Sequence, residues 1–292
     1  MKLSLLGIPT HFGGHISGPE LTPLSLRNRG LISKLIEKKI EVTYSGDIKL
    51  QDCMPRNISP PILNWPSPRI IWEETKKSLE DVHSHDNFLL VVGGDCSVIV
   101  GTTSFLSSVY EDDLHVILVD SHVDNFKPRN NMKVGAATMG IWLLANENMF
   151  WEKPNHIDYS SFSVIGCHDF SALPVSTDGI DLIPLEKLRV NGIKESVSDF
   201  LAKLPENKKI FIHFDVDVIK ESEMPAAYFP CKDGLTFDEC HLVLIELLKD
   251  DRIIGLEMTE FSALKDVSGE LTEKLVHLLV NVISQKVTRI AK

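Results

Sequence analysis

Asp120, His122 and Asp124 occupy alternate positions at the end of HVILVDSHVD, residues 115–124. Asp215 and Asp217 stand two apart in HFDVD, residues 213–217. Carboxylate oxygens and an imidazole nitrogen suit a borderline-hard divalent cation. Two buried carboxylates at such spacing repel each other unless cations neutralise them. Either cluster alone also reads as a polar loop with a capping Asp. Taken together, four carboxylates behind two apolar runs make a binuclear metal site the economical reading.

Two further stretches could join them. GGDCS, residues 93–97, lets the backbone bend tightly at its glycines and places Cys96 after them. Three readings of Cys96 stay open: a metal ligand, a redox-sensitive thiol, or a small buried hydrophobe. Glu260 stands just beyond the strand candidate Ile253–Met258. A carboxylate there can accept hydrogen bonds from a cationic guanidinium head, or cap the segment that follows. His11 and His15 flank Gly13 and Gly14. They read as pocket contacts or as surface residues.

These residues need elements that bring them to one edge. Val116–Val119 is apolar and β-branched, which fits a central parallel strand covered on both faces. Leu3–Ile8, Lys38–Thr43, Phe88–Val92, Ser161–Ile165, Lys209–Phe214 and Ile253–Met258 read as further strands. Helical patterns fall near Leu24–Leu35, Trp72–Asp81, Ser97–Tyr110, Ala136–Asn148, Val197–Leu204, Phe237–Lys249 and Leu271–Ile283, with a short turn at Leu185–Leu188. Residues 51–70 read as a long excursion, and Ser171–Pro184 as a loop-rich connection. Strand, loop and helix in repeated order argue for one doubly wound α/β domain over 1–292. Such sheets bind ligands at the carboxyl ends of their strands, where the acidic motifs fall.

Composition narrows the function classes. The chain has 292 residues, 43% of them hydrophobic, enough for a sizeable core. Its formal net charge is -11, and no basic run interleaves with aromatics, so nucleic acid is not an expected partner. Cys53, Cys96, Cys167, Cys231 and Cys240 are scattered and form no C-x-x-C pair, so no disulfide scaffold or zinc knuckle is indicated. No 18-residue apolar run is present, and the N-terminus reads as a strand rather than a signal peptide. A reducing cytoplasmic location is the expectation.

GGDCS at Gly93–Ser97, DSHVD at Asp120–Asp124, FDVD at Phe214–Asp217 and LEMTEF at Leu256–Phe261 together resemble the ureohydrolases, the family of arginases and agmatinases. The opening segment, with Gly18-Pro19 and Leu26-Arg27, looks arginase-like as well. The resemblance implies a three-layer α/β/α sandwich with an eight-stranded, mainly parallel sheet. It implies two Mn2+ ions. Asp120, Asp124 and Asp215 carry over as ligands of the first. Asp120, His122, Asp215 and Asp217 carry over as ligands of the second. Asp124 also holds the attacking hydroxide, and Glu260 positions the guanidinium. The implied reaction is hydrolysis of a guanidino group to urea and an amine. The alternative is a weakly active or inactive binding or regulatory protein of the same fold.

Departures from the family pattern carry information. Cys96 stands where the family has a first-site histidine, and a thiolate prefers softer ions than manganese. The family's His-Gly pair after the DxHxD loop matches Met139-Gly140, or Val134-Gly135 with a shorter gap; neither methionine nor valine shuttles protons. The family's Asp-Pro step after FDVD is Lys220-Glu221 here. Residues 129–138, RNNMKVGAAT, do not keep the loop by which arginases grip free arginine. The expected partner is therefore agmatine, a guanidino acid or an arginine-containing peptide, with further copies of the chain an open alternative and no membrane.

Overall fold

Among the described residues, eight short segments, most of them apolar, build the sheet. In chain order they are β1 (Lys2–Gly7), β2 (Glu41–Asp47), β3 (Asn87–Val92), β4 (Leu114–Val119), β5 (Phe162–Ile165), β6 (Asp181–Ile183), β7 (Lys209–Asp215) and β8 (Ile253–Thr259). The computed structural model describes residues 1–51, 54–59, 61–168 and 175–290. All strand pairings within the sheet are parallel, in the order β2-β1-β3-β8-β7-β4-β5-β6.

The uniform apolar strands serve two cores at once. Leu89 and Val91 pack into one core, Leu90 and Val92 into the other, following the two-residue strand period. The first core is closed by helices Ser67–Val82, Val98–Tyr110 and Gly140–Ala145. The second is closed by Thr22–Asn28, Leu31–Glu37, Leu185–Asn191, Ile193–Leu201, Phe237–Leu248 and Glu270–Ile290. The result is a three-layer α/β/α sandwich.

Differences from the sequence-based expectation have local causes. β6 falls inside the stretch read as loop; it has three residues, lies at the sheet edge and is followed at once by Pro184. β2 begins at Glu41, because the preceding helix unwinds through Lys39 in the left-handed region, φ 62°. The helix expected over Ala136–Asn148 is a 3-10 turn, Ala136–Met139, and a short helix, Gly140–Ala145. Asn146 and Asn148 donate side-chain hydrogen bonds to the Trp142 and Leu143 carbonyls, competing with continuation of the helix. Cys53, Asp169 and the 171–174 part of the loop-rich connection lie outside the described residues.

Gly94 anchors the β3 turn by close approach. A Cβ there would run into the Thr10 carbonyl, and the Gly94 carbonyl already accepts the Glu260 amide at 2.8 Å. Gly94→Ala is expected to destabilise by about 1–3 kcal/mol, the scale of overpacking against fixed backbone. An unchanged melting temperature would contradict that contact.

Candidate metal centre

Register brings four central strand ends level. Val92 and Phe214 both pair with Met258, and Val119 pairs with Phe214. The residues that follow therefore open into one crevice, from β3, β8, β7 and β4, which are contiguous in the sheet. This is the carboxyl edge at which open α/β sheets place ligands.

Asp120, Asp215 and Asp217 lie together, each with a carboxylate oxygen within 4.8 Å of the other two. His122 Nδ1 sits 3.1 Å from Asp217 Oδ2 and 3.6 Å from Asp120 Oδ1. Backbone amides fix the carboxylates: His122 N donates to Asp120 Oδ1 at 2.7 Å and Asp217 N to Asp215 Oδ1 at 2.7 Å. Ser121 Oγ donates to Asp217 Oδ1 at 2.7 Å. On the other side, the Cys96 thiol donates to Asp215 Oδ2 at 2.7 Å, and the Cys96 amide to Glu260 Oε1 at 2.6 Å. Asp124 is half-buried on the same crevice floor, with φ 49°, but stands outside these tight groups. Glu260 is also left-handed, φ 64°. Strain at two acidic positions of one crevice is the kind that surrounding structure maintains for a purpose.

Electrostatics point to a missing positive charge. Burial and Asp217 raise the Asp120 pKa; burial, Asp217 and Asp120 raise that of Asp215 well above the carboxylate range. Burial and Asp120 do the same to Asp124, and burial and Asp95 to Glu260. Burial pushes the Cys96 thiol up, and Asp215 adds to it. Burial opposes charge on His122, but Asp217 and Asp120 outweigh it and raise its pKa. Asp120 Oδ2 and Glu260 Oε2 are buried without a hydrogen-bond partner. Orphaned acceptors among mutually repelling acids are what bound divalent cations would satisfy. The oxygen-rich set with one imidazole fits hard or borderline ions at the second position.

Above the cluster lies a cavity of about 380 Å³. Cys96, His122, Asp124, Asp215, Asp217 and Glu260 reach its lining; Asp120 supports it from below. Val134 and Gly135 line it too, whereas Met139 is fully buried in the core. His11 is buried against Glu20, 3.1 Å away, while His15 lines the cavity.

Several neighbours were absent from the sequence-based site. Lys133, Tyr228 and Phe229 form part of the cavity wall. Cys231 Sγ lies 3.8 Å from His122 Nε2 and 3.2 Å from Ser121 Oγ. His213 Nε2 lies 3.3 Å from Cys96 Sγ. Only the last had a sequence signal: His213 precedes Asp215 by one strand period and so shares its face. The others come from loops distant in sequence.

The fold and cluster define a parallel α/β protein with an acidic group suited to divalent cations at the carboxyl edge of its sheet. The Arginase family model matches residues 1–284. Arginase of Staphylococcus aureus (strain MRSA252) is 24% identical over 288 residues, covering 95% of each chain. A crystal structure of Bacillus subtilis arginase superposes with TM-score 0.82 at 21% identity, covering 98% of each chain. Trypanosoma cruzi formiminoglutamase with Mn2+ superposes with TM-score 0.76 at 19% identity, covering 97% of this chain and 92% of that one. The chain belongs to the arginase family. It is a metal-dependent C–N hydrolase of the ureohydrolase type, the family whose members carry a binuclear metal centre and hydrolyse guanidino groups. Among the described residues, no helix is long and apolar enough to cross a membrane.

Proposed function

We propose that this chain hydrolyses a guanidino acid to urea and an amino acid, using Mn2+ in at least the second metal position. The observation that carries the substrate class is the cavity wall. Among the described lining residues, the carboxylates are Asp124, Asp215, Asp217 and Glu260 of the crevice floor, while exposed Lys133 supplies a cation to the wall. A substrate with a distal carboxylate meets favourable charge there. Agmatine or free arginine would bring an ammonium to a wall without an acid.

His122 and Asp217 would hold the second ion, and Asp120 and Asp215 would contribute to both positions. Asp124 and Cys96 face the first. Bound ions would supply Lewis acidity and generate a nucleophile from water near neutral pH. Glu260 Oε2, unpartnered and buried, accepts from the guanidinium N–H groups, while Oε1 stays held by the Cys96 amide. Asp124 accepts the proton of the attacking water. Val134 carries no transferable proton, so Asp124 returns that proton to the departing nitrogen as the C–N bond breaks. Water and a guanidinium thereby yield urea and an ammonium.

Urea release from guanidino acids, agmatine, free arginine and an uncharged alkylguanidine tests this reading. Guanidino acids are expected to give the highest kcat/KM. Lys133→Ala should raise their KM roughly fivefold, the scale of an exposed ion pair at about 1 kcal/mol, and leave the alkylguanidine unchanged. Preference for agmatine, or equal effects of Lys133→Ala on both classes, would contradict the assignment.

A further inference from the structure

We propose that His213 replaces the imidazole missing at position 96, so that the first position is a mixed Cys96–His213–carboxylate site for a thiophilic divalent ion of the cobalt and zinc class. The inference rests on reading the acidic cluster as a metal centre, and departs from that family's ligand set. His213 lies on β7 directly opposite Glu257 on β8. Both side chains are fully buried. Their atoms meet at 2.6 Å, His213 Nδ1 to Glu257 Oε1. Glu257 is placed to accept the Nδ1 proton. That leaves the Nε2 lone pair facing Cys96 Sγ at 3.3 Å. A carboxylate that fixes the tautomer and orientation of an imidazole is the usual support for a metal-bound histidine.

The remaining donors are in place. Cys96 Sγ, His213 nitrogen and an Asp120 carboxylate oxygen lie within 4.8 Å of one another. Asp120 Oδ2 is buried and has no hydrogen-bond partner. Tetrahedral bonds of ordinary zinc–sulfur and zinc–nitrogen length place those two donors about 3.6 Å apart, close to the 3.3 Å found. Asp215 Oδ2 accepts from the thiol at 2.7 Å, so an ion held by the sulfur would displace the thiol proton. That proton leaves to solvent. Sulfur and imidazole donors select against manganese relative to cobalt and zinc. A purely structural role for the array accounts for His213 Nε2, which also lies 3.5 Å from the Thr259 hydroxyl, but leaves the orphaned Asp120 oxygen without explanation.

The test is titration of the metal-free full-length chain with Co2+, read by absorption and by bound metal. The wild type is expected to bind two equivalents and develop a near-ultraviolet thiolate-to-cobalt band. Cys96→Ser should abolish that band. His213→Asn keeps an amide donor near Glu257 while removing the Nε2 atom. It should weaken the thiolate-linked equivalent about tenfold or more and leave the other in place. Circular dichroism confirms that each variant is folded. Two cobalt equivalents without a thiolate band in the wild type would overturn this inference while leaving the metal-centre reading intact. So would a folded His213→Asn variant with the band and affinity unchanged. Failure of the wild type to bind cobalt at all would overturn both.

Discussion

Asp215→Asn is expected to abolish retention of two ions and to lower urea release at least about 100-fold, beyond the 10- to 100-fold cost of losing a mere supporting partner of a ligand. The same variant should raise the stability of the metal-free protein. Asp215 is 2% exposed and sits among Asp120, Asp217 and Glu260. Asparagine keeps an oxygen for the Asp217 amide and removes one of the repelling charges. One pKa unit of relieved repulsion corresponds to about 1.4 kcal/mol. The two effects have opposite signs, and a residue serving only as a helix cap would produce neither. Melting curves with and without Mn2+, beside a urea assay, read both.

The pH dependence follows from the same charges. Burial and neighbouring acids hold the pKa values of Asp120, Asp124, Asp215 and Glu260 above their ordinary range. Around and above the unfolded carboxylate pKa of about 4, the folded metal-free chain binds more protons than the unfolded one. Its stability therefore falls as pH rises through the raised native values. Metal-free protein should melt at a lower temperature near pH 8 than near pH 5 on this account, with a smaller slope in Asp215→Asn. Bound divalent ions neutralise the carboxylates and flatten the slope. A metal-free chain that grows more stable over the same interval would show that the acids are already compensated.

The second large effect concerns the pair Cys96 and His213. Cys96→His alone places an imidazole where His213, Thr259 and Asp215 already lie within 3.3 Å of the sulfur. It should cost about 1–3 kcal/mol through overpacking and gain little manganese affinity. The double variant Cys96→His with His213→Asn clears the space, retains a donor for Glu257 and returns an imidazole to the family position. Manganese is expected to bind its first position about 10- to 100-fold more tightly than in the wild type. The gain should greatly exceed the sum of the single changes, as for residues sharing one site. Manganese titrations of all four proteins would measure the coupling. Additive effects, or a gain in Cys96→His alone, would place the two side chains in separate roles.

The apolar runs made much of this architecture legible. Seven of the eight strands lie in segments that read as strands in the sequence, β3, β4 and β7 from nearly unbroken apolar runs, whereas edge strand β2, EVTYSGD, has no buried residue. The short edge strand β6 was hidden because three residues before a proline carry too little pattern. Motif spacing indicated Asp120, His122, Asp215 and Asp217 because they stand directly where β4 and β7 end and the chain turns over the carboxyl edge. Asp124 follows the same alternation, but its left-handed backbone sets it apart from the tight groups. Lys133, Tyr228 and Phe229 were not legible, since loops carry no period that says where they return. His213 was visible in the motif itself, yet its meaning depends on Glu257 lying opposite in register. That pairing exists only once β7 and β8 are neighbours.

The most direct measurement for the metal centre is elemental analysis of the full-length chain after stripping, loading with Mn2+ and desalting. The account predicts at least one manganese retained per folded chain, held by His122, Asp120, Asp215 and Asp217. A folded chain that retains no stoichiometric ion under those conditions would contradict it.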